Sequence, residues 1–316
     1  MIPVFDDWAS LALLLPRLDA ALASTGEEAE VLVVNDGSTL PAPSDLVGFT
    51  PRALRTVRVL ELHRNLGHQR AIAIGLTYVH THLPGRTLVV MDGDGEDAPE
   101  DVPRLLARFQ EEDGRKVVFA GRKKRSESLV FVVFYHLFRG LHLLLTGHSV
   151  RVGNFSVLPP QALRTLVVVS ELWNHYAAAV YKARIPRSVI PTERGTRIAG
   201  RPTMNFPALV THGLSAMSVF GEAIGARLLI ASGSVILLAL LGVTAVIYLR
   251  FFALRPIPGW AYISAGVLVV IVMQAVVASG MFIFTILNSR QGSSFLPIRD
   301  FAFFCEEARV LYSRNR

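Results

Sequence analysis

Val89-Val90-Met91-Asp92-Gly93-Asp94-Gly95-Glu96-Asp97-Ala98-Pro99-Glu100-Asp101 is the stretch on which the fold turns. An apolar run stops at a carboxylate, Asp92, Asp94 and Glu96 alternate, and prolines with acidic neighbours open a helix. A strand that ends this way delivers acidic side chains at its carboxyl end. Hard divalent cations take such oxygens, usually one or two carboxylates plus substrate phosphates for a Mg²⁺-type ion. The spacing also imitates the start of an EF-hand, but the twelfth position from Asp92 is Pro103, where that loop needs a bidentate Glu. A solvated acidic loop is the plainer alternative; a metal–diphosphate site is the better reading.

The pattern repeats outward from this stretch. Val31–Val34, Val57–Leu62, Leu88–Met91 and Val117–Ala120 read as short buried strands. Leu11–Leu22, Gln69–His80 and Pro103–Glu111 read as helices between them, the first weakened by Pro16. Strand–helix alternation predicts an α/β domain with a doubly wound sheet, whose ligands sit at the carboxyl ends of the strands. Two more strand ends carry candidate chemistry: Asn35-Asp36-Gly37-Ser38, which is also ordinary turn composition, and His63-Arg64-Asn65-Leu66-Gly67-His68-Gln69. The second opens a helix, and helix N-termini and basic side chains both favour phosphate oxygens.

The chain has 316 residues, is 51% hydrophobic, and carries 32 Lys and Arg against 25 Asp and Glu. Its apolar weight is concentrated late. No charged residue lies between Arg227 and Arg250, or between Arg255 and Arg290. A bilayer span needs about 20 apolar residues, so Leu228–Leu249 and Trp260–Leu287 are predicted spans, with Trp260 and Tyr262 at a membrane edge. A slight excess of Arg227, Arg290 and Arg299 over Arg250 and Arg255 predicts both termini on the cytoplasmic side. The start has no basic segment followed by an apolar stretch, so no signal peptide is expected.

Two further segments, Leu129–Thr146 and Met204–Ala226, place His136, Arg139, His142 and Thr146, and His212, Ser215, Ser218 and Glu222, at helical steps in apolar runs. Both predict helices lying in the membrane interface. The lone Cys305 excludes an internal disulfide and a multi-cysteine metal site. The basic excess lacks an aromatic platform or recognition helix, so nucleic acid is not an expected partner.

Four motifs in order then resemble the family-two glycosyltransferases of the GT-A, Rossmann-like fold, in particular the membrane-anchored polyprenyl-phosphate group. Pro3-Val4-Phe5-Asp6-Asp7 is similar to that family's Pro-Val-Tyr-Asn-Glu, and Asn35-Asp36-Gly37-Ser38 to its Asp-Asp-Gly-Ser. Arg64-Asn65-Leu66-Gly67 is similar to its Arg-Asn-Phe-Gly, and Asp92-Gly93-Asp94-Gly95-Glu96 to its Asp-Ala-Asp-Leu-Gln.

The resemblance implies a nucleotide-sugar site at Pro3, Phe5, Asp7, Asp36, Asn65, Gly67 and Asp92, with Asp36 near the base. It implies Mg²⁺ or Mn²⁺ on Asp92, Asp94 and Glu96, Glu96 standing where the family often has Gln. It implies an acceptor side in the 193–201 loop at Arg194, Arg197 and Arg201; Arg122 and Arg125, after a strand and before the first interfacial segment, are either a solvated loop or, better, contacts for anionic lipid or phosphate. The 193–201 loop departs from the family where Pro202-Thr203 replaces a usual Ser-Lys. Asp94 and Asn154 are the expected catalytic positions; Asn154, in Gly153-Asn154-Phe155-Ser156, replaces the Asp the family assigns as base.

The predicted order is a GT-A domain at 1–202 with an interfacial helix at 129–146, a juxtamembrane amphipathic helix at 203–227, two spans in 228–287 and a cytoplasmic tail at 288–316. The expected activity is metal-dependent, inverting transfer of a sugar from a nucleotide to a polyprenyl phosphate at the inner membrane. Transfer to a lipid or glycan hydroxyl, and a catalytically silent nucleotide-sugar-binding scaffold, are the alternatives. A homo-oligomer is left open as a further partner.

Overall fold

The apolar runs that stop at Asn, Asp or Glu become strands in the structure, a computed structural model that describes residues 1–122, 140–148, 152–193, 195–199, 206–251, 259–291 and 295–314. The chain divides into two units, one of Met1–Val132, Ser149–Val219 and Phe295–Arg316, the other of Val133–His148 and Phe220–Ser294.

In the first unit β1 (Ile2–Val4), β2 (Ala29–Asn35) and β3 (Leu54–Glu61) run parallel, and Val4, Asn35 and Glu61 stand side by side at their carboxyl ends. Next come β4 (Leu88–Val90), β5 (Val117–Arg122), β6 (Ser156–Leu158) and β7 (Arg187–Thr192), ordered β4-β6-β5-β7. β6 is antiparallel to both neighbours and β7 is parallel to β5. The Met1 amino group donates to the Val89 carbonyl at 2.7 Å and Met91 N–H donates to the Met1 carbonyl at 3.2 Å, which ties β1 to β4.

Period-two alternation sorts the side chains into two apolar layers. Val31, Val33, Val57 and Val59 face α1 (Trp8–Ala23) and α3 (Val102–Glu111). Leu32, Val34 and Leu60 face α2 (His68–His82), α4 (Pro160–Leu166) and α5 (Tyr176–Lys182). A sheet covered on both faces has near-continuous apolar strands, as the sequence shows. α1 continues through Pro16 because Leu11, Leu14, Leu15, Leu18 and Leu22 are buried along one face. At about 1.5–3 kcal/mol each, that burial exceeds the roughly 3 kcal/mol cost of an interior proline.

The sheet is mixed where the sequence pattern predicts a parallel one. β6 and β7 are not among the strands that the sequence pattern predicts. β8 (Arg309–Ser313) pairs antiparallel with β3, Val57 beside Tyr312. The segment expected as a tail at 288–316 therefore supplies an edge strand, and Phe295 stacks on Trp173 with ring centroids 3.8 Å apart.

Met204–Ala226 is not one helix. α6 (Phe206–Ser218) ends, Val219 and Phe220 are buried in a turn, and α7 starts at Gly221. Residues 129–139 of the first predicted interfacial segment lie outside the described residues. In its helical part, 140–146, the polar stripe turns inward: His142 and Thr146 are buried while Leu141, Leu143 and Leu144 are exposed.

The second unit is built on α7 (Gly221–Phe251) and α8 (Gly259–Gln291), both long and apolar enough to cross a membrane. At 1.5 Å per residue each exceeds the roughly 30 Å of a hydrocarbon core. They pack on each other, and at Gly242 a Cβ would sit 3.1 Å from Leu268 Cδ1, so a small residue serves the close approach. Leu237, Leu238, Leu240 and Leu241 remain 50–68% exposed, which a soluble helix pair would not leave uncovered.

Asp19 fastens α1 to the start of β3. It is 5% exposed, and its carboxylate accepts the backbone N–H of Arg52, Ala53 and Leu54 at 2.8–3.0 Å. Burial works to raise its pKa, but the three donors outweigh it and hold the carboxyl below its ordinary value. Such a group contributes stability that is present above its unfolded pKa and lost as pH falls through its folded one. Asp19→Ala orphans three donors and is expected to destabilise the first unit by about 2–4 kcal/mol. A drop in melting temperature at pH 7 that narrows as the pH is lowered below 4 checks this.

Candidate functional site

The site is made of loops leaving the carboxyl ends of β1, β2, β3 and β4, and hydrogen bonds between loops fix each one. After β1 the chain turns through Asp6, whose φ is +51°. Its carboxylate accepts Thr39 N–H at 2.7 Å and Thr39 Oγ1 at 2.9 Å, and its own N–H donates to Ser38 Oγ at 2.9 Å. After β2, Asn35 Oδ1 accepts Ser38 N–H at 3.0 Å and the Asn35 amide donates to Glu61.

Asp36 joins this loop to the next. It is 3% exposed; Oδ1 accepts Leu66 N–H at 2.7 Å and Oδ2 accepts Gly67 N–H at 2.9 Å. Burial pushes its carboxyl above the ordinary value in spite of both donors. The two motifs, Asn-Asp-Gly-Ser and Arg-Asn-Leu-Gly, thus close on each other. Gly37 has φ +69°, and a Cβ there would stand 2.5 Å from Arg64 C and Asn65 N. Phe5 is 48% exposed beside this clip.

The acidic loop after β4 is held from within. Asp97, 2% exposed and not singled out by the sequence, accepts Asp92 N–H at 2.9 Å, and Asp94 Oδ1 accepts Glu96 N–H at 3.0 Å. The 195–199 segment lies along it: Gly195 N–H donates to the Glu96 carbonyl and Ile198 N–H to the Asp94 carbonyl, both at 2.9 Å. Contact is tight enough to require glycine on both sides, since a Cβ on Gly195 would be 2.4 Å from the Gly95 carbonyl oxygen and one on Gly95 2.3 Å from Ile198.

From that segment the Arg197 guanidinium donates to Asp7 Oδ2 and, at 3.2 Å, to Asp94 Oδ2. Its Nε donates to the Ala199 carbonyl at 2.9 Å. Burial comes first among the causes that push the Asp94 carboxyl above its ordinary value, followed on that side by the charges of Asp92 and Glu96; the Glu96 N–H and Arg197 oppose them. Crowded carboxylates need a cation, and here the arginine supplies it.

On the far side of the loop His68 Nε2 lies 3.1 Å from Asp92 Oδ1 and 3.0 Å from Asn154 Nδ2. Desolvation works to lower the His68 pKa, but Asp92 first, then Asp97 and Asp36, hold it above its ordinary value. Asn154 Oδ1 accepts from Gln69 Nε2 at 3.1 Å.

Of the residues singled out by sequence, Asp7, Asp94 and Arg197 meet directly, Asp92 and Asn154 share His68, and Asp36 meets Leu66 and Gly67. Arg197, grouped by the sequence with acceptor ligands, stands on the carboxylates expected to serve the donor. Arg125, Arg194 and Arg201 lie outside the described residues; Arg122 ends β5. No three His, Cys, Asp or Glu side chains converge as a metal cluster among the described residues. Asp92 and Asp94 are instead drawn to His68 and Arg197. The donor set, carboxylate oxygens under mutual repulsion, is nonetheless the chemistry a hard divalent cation takes.

An α/β domain with acidic loops gathered at strand carboxyl ends, followed by two membrane-length apolar helices, defines the class of architecture. The chain belongs to glycosyl transferase family 2, whose model matches residues 1–165. Divalent metals are typical of this family. The chain is 34% identical over 129 residues to the undecaprenyl-phosphate 4-deoxy-4-formamido-L-arabinose transferase of Klebsiella pneumoniae subsp. pneumoniae, covering 41% of this chain and 38% of that protein. It is 33% identical over the same length to the protein of that name from Salmonella dublin, with the same coverage. The chain thus matches under two fifths of the length of these relatives.

Gly37→Ala is expected to force the Asp36 clip apart, since neither the positive φ nor the 2.5 Å contacts with backbone admit a Cβ. A loss of roughly 1–3 kcal/mol, read as a lowered melting temperature, checks it.

Proposed function

We propose that this protein transfers a sugar from a nucleotide sugar to a polyprenyl phosphate at the cytoplasmic face of the inner membrane. The observation that supports the reading best is the meeting of Asp7 and Asp94 on Arg197 at the carboxyl ends of β1 and β4, in a chain that goes on to two membrane-length helices. The names of the relatives point to the same class of acceptor.

In this reading Phe5, Asp7 and the Asp36 clip line the nucleotide, with Pro3, Asn65 and Gly67 shaping the loops around it. Asp92, Asp94 and Glu96 hold Mg²⁺ or Mn²⁺, which when bound neutralises charge on the leaving diphosphate. Arg197 leaves Asp7 and Asp94 as the donor enters and becomes available to phosphate oxygens, alongside Arg122, Arg125, Arg194 and Arg201. The acceptor oxygen forms its bond to the anomeric carbon as the bond to the diphosphate breaks, from the opposite face, with inversion.

Asn154 decides between acceptors. An amide takes no proton, and general-base help is worth typically about 10²–10⁴-fold to a hydroxyl nucleophile. A phosphate monoester has its second pKa near about 6 and is largely dianionic at neutral pH. It needs orientation and not deprotonation, and an amide can provide that.

A donor screen on membrane fractions, with mass analysis of the lipid product, is expected to yield a sugar–phosphate–polyprenol. Asp94→Asn should remove most of that turnover while leaving the membrane-bound protein folded. Efficient transfer to neutral polyprenol with none to its phosphate would overturn the acceptor, and absence of turnover with every donor would favour the binding scaffold.

The topology follows from the same reading, since the donor is cytoplasmic. With both termini cytoplasmic, a cysteine at position 255 should be labelled only from the opposite face. Labelling from the cytoplasmic face would contradict this orientation and would leave the first unit without its donor.

A further inference from the structure

A run of hydrogen bonds from α5 to the acidic loop has a direction that one backbone group imposes. Tyr176 is the first residue of α5, and the leading N–H groups of a helix have no partner within it. Its N–H can only donate, and it meets Gln69 Oε1 at 2.8 Å. That contact settles the otherwise ambiguous orientation of the Gln69 amide. The opposite end of Gln69 is therefore Nε2, a donor, and the atom of Asn154 that it meets at 3.1 Å must be Oδ1. Asn154 is left with Nδ2 turned away from α5, toward His68 Nε2 at 3.0 Å, to which it donates when that nitrogen carries no proton.

This is the side on which the site lies. His68 is 44% exposed and reaches Asp92 on the acidic loop at 3.1 Å, whereas the Oδ1 end of Asn154 points back to Gln69 and the buried start of α5. Neither amide is tied to its partner by packing alone. Turning Asn154 over would place Nδ2 against Gln69 Nε2, two donors facing each other, while Gln69 cannot turn without confronting the Tyr176 N–H with its own NH₂ group. On the α5 side, orientation at Asn154 is thus set two bonds away, by a main-chain donor.

We infer that Gln69 is a positioning residue that holds the Asn154 amide with its N–H donors toward the acceptor, the polarity an anionic phosphate oxygen requires. The inference deepens the proposed function and rests on its choice of a phosphate acceptor. A carbonyl oxygen in that direction would repel the same anion, so the orientation separates an anionic nucleophile from a neutral hydroxyl in need of a hydrogen-bond acceptor.

Gln69→Glu tests it. The carboxylate still accepts from Tyr176 N–H but offers Asn154 an acceptor where Gln69 offered a donor, so the Asn154 amide turns over. The KM for polyprenyl phosphate is expected to rise about tenfold, the scale of one hydrogen bond to a charged group, with the KM for the nucleotide sugar unchanged. A new charge could do as much by itself, so the comparison is repeated in Asn154→Ala. If Gln69 acts through the amide, Gln69→Glu there changes the acceptor KM less than about twofold. An equal rise in both backgrounds, or none in either, overturns the inference.

Gln69→Met, which keeps the length and removes both polar ends, provides the same cycle should the glutamate variant not fold. Its acceptor KM should rise with Asn154 present and not in its absence. Were the wild type to use neutral polyprenol alone, the acceptor reading would fall. Coupling between positions 69 and 154, measured with that lipid, would still decide whether Gln69 orients Asn154.

Discussion

A carboxylate buried at the end of a strand has to be met by N–H groups, and at Asp36 those groups belong to another loop. The bonds to Leu66 and Gly67 convert two turns that would each wander into one rigid corner. They also set where α2 begins. His68 and Gln69 are its first two residues, so the reach of the imidazole to Asp92 and of the amide to Asn154 follows from how Asp36 seats the turn before them. The Gly37 contact with Arg64 and Asn65 is the steric half of the same constraint. One buried acid therefore seats the turn from which His68 and Gln69 reach Asp92 and Asn154.

The second organising term is charge. Asp7 and Asp94 come from different strands, and Asp92 and Glu96 lie close enough to raise the Asp94 pKa. Such a group is tolerable only with a positive partner, and burial makes the penalty for lacking one larger. Arg197, 20% exposed, meets the need from a segment pinned by main-chain bonds to Asp94 and Glu96. The carboxylate oxygens that Arg197 neutralises are of the chemical type that hard divalent cations take.

Much of this was legible in the sequence, and the parts that were not share a physical reason. The strands that end in Asn35, Glu61 and Val90 announce themselves because both sheet faces are buried and the runs are apolar throughout. The acidic loop is legible because carboxylates at a strand end have few other uses. β8 escaped because it pairs with β3 across roughly 250 residues of chain, a partner that no local pattern announces. Arg197 was visible as a basic residue but not as the partner of Asp7, since that contact depends on how a loop folds back. Gln69 was quoted within its motif and given no role, because its value lies in the Tyr176 N–H, and a backbone donor leaves no mark in a sequence.

The C-terminal strand also constrains the membrane-length helices. Residues before α7 and residues after α8 both belong to the first unit, through α6 on one side and β8 on the other. A chain that leaves a folded body, crosses a bilayer and returns to pair with a strand of that body must cross an even number of times. α7 and α8 satisfy this as a pair, and either alone would strand β8 on the wrong side. The β3–β8 ladder is therefore an internal reason to treat the two helices as one hairpin, independent of the few arginines near their ends. It requires that the edge strand form only after both helices have been synthesised.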